Sequence, residues 1–113
     1  MLDHERLAML YAQLGDAGAD AVIGRAIEEL ALRLEYAEQT FRQGNLKDLR
    51  KCANAVITVA EQIGLCTLSY VAQAVVHCID DNDATALAAV LNRLIRTGAG
   101  SLTEIWKQQG LSV

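Results

Sequence analysis

The sequence predicts an all-α protein: an up-down-up-down antiparallel four-helix bundle with a short additional N-terminal helix, built as one domain over residues 1–113. Three observations support this prediction. The chain contains no proline, the residue that most strongly breaks a helix. Its apolar residues recur with the period of a helix and not with the alternation of a strand. The connections between the apolar stretches are short, and short connections make successive helices antiparallel neighbours.

The first two predicted helices are separated by a glycine-containing turn. A short helix is expected over about residues 3–14, and a longer one over about residues 19–43. Residues 15–20, Gly-Asp-Ala-Gly-Ala-Asp, read as a turn with an Asp able to cap the second helix. The apolar stripes consist of Leu7, Leu10 and Leu14 in the first helix, and of Ile23, Ile27, Leu30, Leu34, Ala37 and Phe41 in the second.

The third and fourth predicted helices also have readable ends. Gly44 stops the second helix, Asn45 caps a third over about residues 46–63, and Gly64 ends it. Thr67 is expected to cap a fourth helix that reaches about residue 80. The inward residues are Leu46, Leu49, Ala53, Val56, Ala60 and Ile63 in the third helix, and Leu68, Val71, Ala72, Val75 and Ile79 in the fourth.

The fifth predicted helix starts after the N-cap Asp83 and runs to about residue 108. Its core side carries Leu87, Leu91, Leu94, Leu102 and Ile105. Residues 97–100, Thr-Gly-Ala-Gly, place two glycines inside it, and each weakens a helix by about 1 kcal/mol relative to alanine. The sequence leaves open whether they mark a kink, a close approach of two helices or a break.

Composition and charge exclude several classes of function. The net charge of −4 disfavours nucleic-acid binding, which needs a basic surface. No apolar run is long enough to span a bilayer and the N-terminus lacks the apolar region of a signal peptide, so we expect no membrane and a cytoplasmic location. Three cysteines without a Cys-x-x-Cys pair indicate neither disulfides nor zinc, and are expected to be small buried hydrophobes. No cofactor or metal is expected.

No catalytic constellation is visible in the sequence. There is no Gly-rich phosphate loop and no His-Glu-x-x-His motif, and the two histidines, His4 and His77, lack metal-ligand spacing. The carboxylates lie on outward stripes, where a solvated surface is the ordinary explanation. Taken alone, the residues predict a helical bundle that is not an enzyme.

The stretch 48–73 resembles the signature of histidine-containing phosphotransfer (HPt) domains. In that family the corresponding helix reads roughly A-H-x-L-K-G-[SA]-[SA], followed by an apolar residue, a glycine and a leucine. Here Ala53 matches the alanine, and Asn54 stands at the position of the phosphate-accepting histidine. Ile57 and Thr58 stand at the lysine and glycine positions. The remaining positions of the register are filled by Val56, Val59, Ala60, Ile63, Gly64 and Leu68.

The resemblance implies a degenerate member of the family. An Asn amide has no nucleophilic nitrogen, Ile57 supplies no charge, and Thr58 adds bulk where the family keeps space. We therefore expect a pseudo-phosphotransfer module that docks a response-regulator receiver domain or a histidine kinase without accepting phosphate. The expected docking face has a basic start, a neutral centre and an exposed apolar Ile57. It comprises Lys47, Arg50, Lys51, Asn54, Ile57, Thr58 and Glu61.

Two alternatives stay open at this point. The first is an active phosphocarrier that uses His77, which the helical pattern places with Tyr70 and Gln73 on the outward side of the fourth helix. The second is a purely structural bundle that self-associates, with Asn54 and Ile57 buried in a homodimer.

Overall fold

A computed structural model describes residues 2–108, and these residues form four α-helices joined by short turns. The helices are α1 (His4–Arg42), α2 (Leu46–Gln62), α3 (Cys66–Asp80) and α4 (Ala84–Gln108). The predicted all-α class is confirmed. Each helix packs on two others, because α1 and α3 both contact α2 and α4. No helix within residues 2–108 has the length and apolar character needed to cross a membrane.

The core between the four helices is aliphatic, as expected from a chain with 52% hydrophobic but only 4% aromatic residues. Every helix contributes a stripe at the predicted helical spacing. The largest fully buried aliphatic side chains are Ile23, Leu30, Leu49, Val56, Ile63, Leu65, Leu68, Val71, Val75, Leu94 and Ile105.

The break between the first two predicted helices is shorter than expected. Residues 4–42 form one helical element that is interrupted only at Gly15, whose φ of 75° and ψ of 170° are not helical. The predicted turn over residues 15–20 is therefore wrong beyond its first residue. Across the break, the Tyr11 hydroxyl donates a 2.6 Å hydrogen bond to Asp20 Oδ1. The helical phase changes at Gly15, and Leu14 beside it is 47% exposed instead of buried.

The N-terminal residues close one end of the bundle. Leu2 forms an isolated antiparallel bridge with Leu65, and both side chains are buried. The backbone N–H of Asp3 donates to the Gly64 carbonyl over 2.7 Å. A Cβ atom at Gly64 would come within 2.8 Å of the Asp3 carbonyl oxygen, and the φ of Gly64 is +76°. Glycine is therefore required here both for its backbone conformation and for the close approach.

The predicted caps of α2 and α4 are confirmed. The Asn45 side chain accepts a 3.1 Å hydrogen bond from the Asp48 backbone N–H, and Asp83 accepts one of 3.0 Å from Ala86. Each bond satisfies a helix N–H that has no partner within the helix. Gly44, in a left-handed conformation with φ +72°, ends the turn after α1 as predicted.

Some local predictions are wrong. Thr67 does not cap α3, because the helix begins at Cys66 after Leu65, which makes no side-chain cap bond. Leu46 was expected in the core but is 40% exposed, since no element of residues 2–108 covers the start of α2 at that point. Four further side chains of the predicted stripes are only half-buried: Ile27, Phe41, Ile79 and Leu102.

The two glycines of α4 do not break it. The helix is continuous through residues 97–100, and Gly98 is buried where a Cβ atom would clash with the side chain of Leu34 on α1. Gly100 faces open space. Of the three interpretations left open by the sequence, the structure selects a close approach of two helices, made at Gly98.

Candidate functional site on α2

The predicted docking face lies on the outward side of α2, and most of it is exposed. We call this set of seven residues the α2 face. Asn54 lies in the middle of the helix with its side chain in solvent, on the opposite side from the buried Val56 and Ala60. The exposed members are Lys47, Arg50, Lys51, Asn54, Thr58 and Glu61.

Ile57 departs from its predicted exposure. It is half-buried and packs against the core cluster, so it does not offer the free apolar contact that the sequence suggested. The reason is its position on the side of α2 that meets α3. Arg50, two turns before Ile57, and Glu61, one turn after it, both contact α3 residues.

Thr58 is held by its own helix. Its hydroxyl donates a 3.2 Å hydrogen bond to the backbone carbonyl of Asn54, four residues earlier. This bond satisfies the hydroxyl without an outside partner. The Thr58 side chain therefore lies against the helix backbone directly beside the base of the Asn54 side chain.

Arg50 is engaged in an ion pair between helices. Its guanidinium donates two hydrogen bonds to Asp80 at the end of α3, with lengths of 2.8 and 3.1 Å. The hydrogen bond from Arg50 is the main reason why the pKa of Asp80 lies below its ordinary value, and the charges of Arg50 and His77 act in the same direction. The same contact raises the pKa of Arg50.

The free positive charge of the α2 face therefore comes from its two lysines. Within residues 2–108, neither Lys47 nor Lys51 forms an ion pair or a side-chain hydrogen bond, and both are exposed. An outside group with negative charge would meet these lysines first, since Arg50 would have to exchange its carboxylate partner.

At the other end of the α2 face, Glu61 takes part in a chain of hydrogen bonds to α3. The Ser69 hydroxyl, which is 3% exposed, donates to Glu61 Oε1 over 3.0 Å. The Gln73 amide in turn donates to the Ser69 hydroxyl over 3.2 Å. The Glu61 carboxylate is thus held in place by a hydrogen bond from α3, although its side chain lies at the surface.

These contacts show that the surface around Asn54 extends onto α3. Tyr70, which is 71% exposed, Gln73 and Asp80 belong to this wider surface, and sequence reasoning did not include them in the docking face. A signal was available within α3, because Tyr70, Gln73 and His77 share one outward side at helical spacing. Nothing local indicated that this side of α3 adjoins the α2 face.

The histidines are exposed, as their positions in the sequence suggested. His77 lies on the outward side of α3, one turn before Asp80, and is near enough for its charge to lower the pKa of that carboxyl. His4 is the first residue of α1 and lines a pocket with Ile23 and with Ile105 of α4. No group of three or more His, Cys, Asp or Glu side chains within residues 2–108 is arranged to hold a metal ion.

The three cysteines differ in burial. Cys52 is 1% exposed, its thiol donates to the Arg33 carbonyl over 2.9 Å, and burial raises its pKa. Cys78 is half-buried, and Cys66 is exposed at the start of α3. The expectation of three buried cysteines is therefore correct for Cys52 and wrong for Cys66, which lies on the first, outward turn of its helix.

Comparison with protein-family models, with curated proteins and with solved structures finds no match to this chain.

Proposed function

We propose that this chain is a pseudo-phosphotransfer module of a phosphorelay, which docks a receiver domain or a histidine kinase in the cytoplasm without accepting phosphate. The observation that carries the proposal is the exposure of Asn54 in the middle of α2, because the sequence resemblance aligns this residue with the histidine of an HPt domain. The module is not an enzyme, because the group at this position has no nucleophilic nitrogen.

The contacts between helices support an HPt-like, up-down-up-down arrangement. Arg50 near the start of α2 meets Asp80 at the end of α3, and Glu61 near the end of α2 meets Ser69 near the start of α3. In an antiparallel pair the start of each helix lies beside the end of the other, which is the pattern of these two contacts between α2 and α3. The non-helical Gly15 separates residues 4–14 from the rest of α1, which supports an additional N-terminal helix.

The chemistry at the site supports binding over transfer. Phosphotransfer needs a neutral imidazole nitrogen as nucleophile and a cation near the phosphoryl group. The amide of Asn54 is a hydrogen-bond donor and acceptor without a nucleophilic lone pair on nitrogen. Ile57 is half-buried and uncharged, so the cation is also absent from its expected position.

The charge distribution supports docking to an acidic pocket, which is what receiver domains present around their phosphorylated aspartate. Lys47 and Lys51 are exposed and unpaired within the described residues, on the same helix as Asn54. Such charges raise the rate of association with an acidic partner more than they raise its final affinity.

A binding experiment with a matched control tests the proposal. The chain is titrated with purified receiver domains and histidine kinases from the same genome. Lys51→Glu should weaken binding to the cognate partner at least about fivefold and lower its association rate, while Arg25→Glu, an exposed charge reversal on α1, should leave both unchanged. If no receiver or kinase binds, or if both variants behave alike, the proposal is wrong.

The exposure of His77 keeps a second candidate function, an active phosphocarrier, in consideration. Incubation with a phosphorylated receiver domain distinguishes the two. A carrier would acquire acid-labile, base-stable phosphate that His77→Ala abolishes, whereas the pseudo-phosphotransfer module stays unlabelled.

A triple variant tests whether phosphate acceptance can be rebuilt at residue 54. The triple change Asn54→His, Ile57→Lys and Thr58→Gly should keep the fold but reduce its stability by about 1–2 kcal/mol, because Ile57 is half-buried and glycine weakens a helix. Acquisition of histidine phosphate by the triple variant, and not by Ile57→Lys with Thr58→Gly alone, would assign the phosphoacceptor position to residue 54.

A further inference from the structure

We propose that the end of the bundle opposite the N-terminal residues holds a binding cleft for a segment of a partner protein, one that carries a large apolar anchor side chain next to Lys or Arg. We call this site the end cleft. It has a volume of about 300 Å³ and lies where α1 and α3 end and α2 and α4 begin. None of its lining residues belongs to the α2 face, and the proposal does not depend on the function proposed for that face.

The wall of the end cleft is made of side chains that the helical pattern assigns to the core. Phe41 and Ile79 are half-buried, Leu46 is 40% exposed, and the buried Leu87 forms the floor. Apolar area in contact with water is unfavourable, so a partner that covered it would gain free energy in proportion to the area removed from water. All four helices contribute, and the shape of the cleft is therefore set by the packed fold and not by one mobile loop.

The rim of the end cleft is acidic along the α3–α4 turn. Asp83 lines the cleft and Asp81 lies beside it, both are exposed, and neither has an ion-pair partner within residues 2–108. Their charges reach the cleft wall, because they add to burial in raising the pKa of Cys78. The third carboxylate of the turn, Asp80, is neutralised by Arg50.

These two properties identify the kind of occupant. A pocket of about 300 Å³ is at the lower limit for small-molecule sites and accommodates one or two anchor side chains of a protein interface. The acidic α3–α4 turn favours an anchor that is flanked by basic residues on that side of the cleft. A second copy of this chain fits poorly, because its net charge is −4 and the approach of two such rims would be repulsive.

A selection experiment tests the chemistry without a known partner. The full chain is immobilised and short random peptides displayed on phage are selected, with Leu46→Ser protein present in solution to remove peptides that bind elsewhere. The expected consensus is a Leu, Ile, Phe or Trp flanked by Lys or Arg. A consensus with acidic flanks, or no enrichment at all, would overturn the proposal.

The strongest selected peptide is then synthesised and titrated against matched variants. Leu46→Ser should weaken binding about fivefold or more, whereas Leu32→Ser, at a leucine that is 67% exposed on α1 and far from the cleft, should leave it unchanged. Asp81→Asn with Asp83→Asn should weaken it about two- to fivefold per lost charge pair, and Asn at position 83 retains the helix cap. Equal binding by both leucine variants would overturn the proposal.

Discussion

The two ends of the bundle are built from similar turns but differ in how well their apolar residues are covered. At the closed end, where residues 2–10 lie over the α2–α3 turn, Leu65 and Ile105 are at most 1% exposed. At the open end, which contains the end cleft, Leu46 is 40% exposed and Ile79 half-buried. The α2–α3 turn at the closed end and the α1–α2 turn at the open end each contain a glycine with φ above +70°. The difference therefore comes from the additional segment before Gly15, which covers one end only.

Hydrogen bonds as well as apolar contacts fasten that segment. The Arg6 guanidinium donates to the Gln62 carbonyl over 3.1 Å, and the Asp3 N–H donates to the Gly64 carbonyl. Both acceptors lie at the end of α2, where helix carbonyls lack partners within the helix and where a cation is favoured. The N-terminal segment thus satisfies polar groups and buries apolar ones in a single contact.

The largest expected difference between the two ends is in the free energy of unfolding that is lost when one leucine at each end is replaced by alanine. Leu65→Ala at the closed end should lower the free energy of unfolding by about 2–5 kcal/mol, because it leaves a cavity among fully buried side chains. Leu46→Ala at the open end should lower it by less than about 1 kcal/mol. Chemical denaturation followed by circular dichroism measures both. Similar losses would mean that the end cleft is closed in solution.

The two turn glycines provide the next contrast. Alanine at either position adopts a left-handed conformation at a cost of about 1–2 kcal/mol. Gly64→Ala also brings its Cβ atom within 2.8 Å of the Asp3 carbonyl, whereas Gly44→Ala meets nothing within 4 Å. We expect losses of about 2–4 and about 1 kcal/mol respectively in the same unfolding experiment. Deleting residues 1–3 should remove the excess cost of Gly64→Ala and would show that it arises from the contact.

Helix caps could be predicted better than features that depend on packing, although Thr67 does not cap α3. Asn45 and Asp83 cap their helices as predicted, because a cap bond spans only three residues of sequence. Leu46 and Leu14 have the correct period for the core, but they are 40% and 47% exposed. Periodicity describes one side of a helix and contains no information about what lies opposite that side.

The same distinction holds for the candidate site. The exposure of Asn54 follows from the phase of α2 alone and could be predicted. The pairing of Arg50 with Asp80, thirty residues later in the chain, depends on how α2 and α3 align and could not. The half-burial of Ile57 is a consequence of the same alignment.

Variants of the two glycines of α4 distinguish the effect of close packing on stability from the effect of intrinsic helix propensity. Gly100→Ala should stabilise the protein by about 0.5–1 kcal/mol, since alanine favours the helix and its Cβ atom meets nothing within 4 Å. Gly98→Ala should destabilise it by about 1 kcal/mol, because the clash with Leu34 outweighs that gain. Thermal unfolding of both variants in parallel measures the difference. Stabilisation by Gly98→Ala would mean that the Leu34 side chain can move aside without cost.

The smallest expected effect is the pH dependence that the Arg50–Asp80 pair adds near the open end. The hydrogen bond from Arg50 holds the pKa of Asp80 below its ordinary value of 3.8. The charges of Arg50 and His77 also lower this pKa, whereas desolvation raises it. Because the pKa is lower in the folded state, the pair stabilises the fold above about pH 3.8, and this contribution is lost as the pH falls through the folded-state pKa. Both side chains are about half exposed, so solvent screens the pair and the effect is small.

Asp80→Asn should therefore lower the melting temperature slightly at neutral pH, and the difference in melting temperature from the parent protein should disappear below pH 4. The control Asp81→Asn, which removes a carboxylate without an ion pair in the described part of the chain, should show no gap that closes in this range. A gap for Asp80→Asn that stayed constant down to pH 2.5 would mean that the carboxylate does not pair with Arg50 in solution.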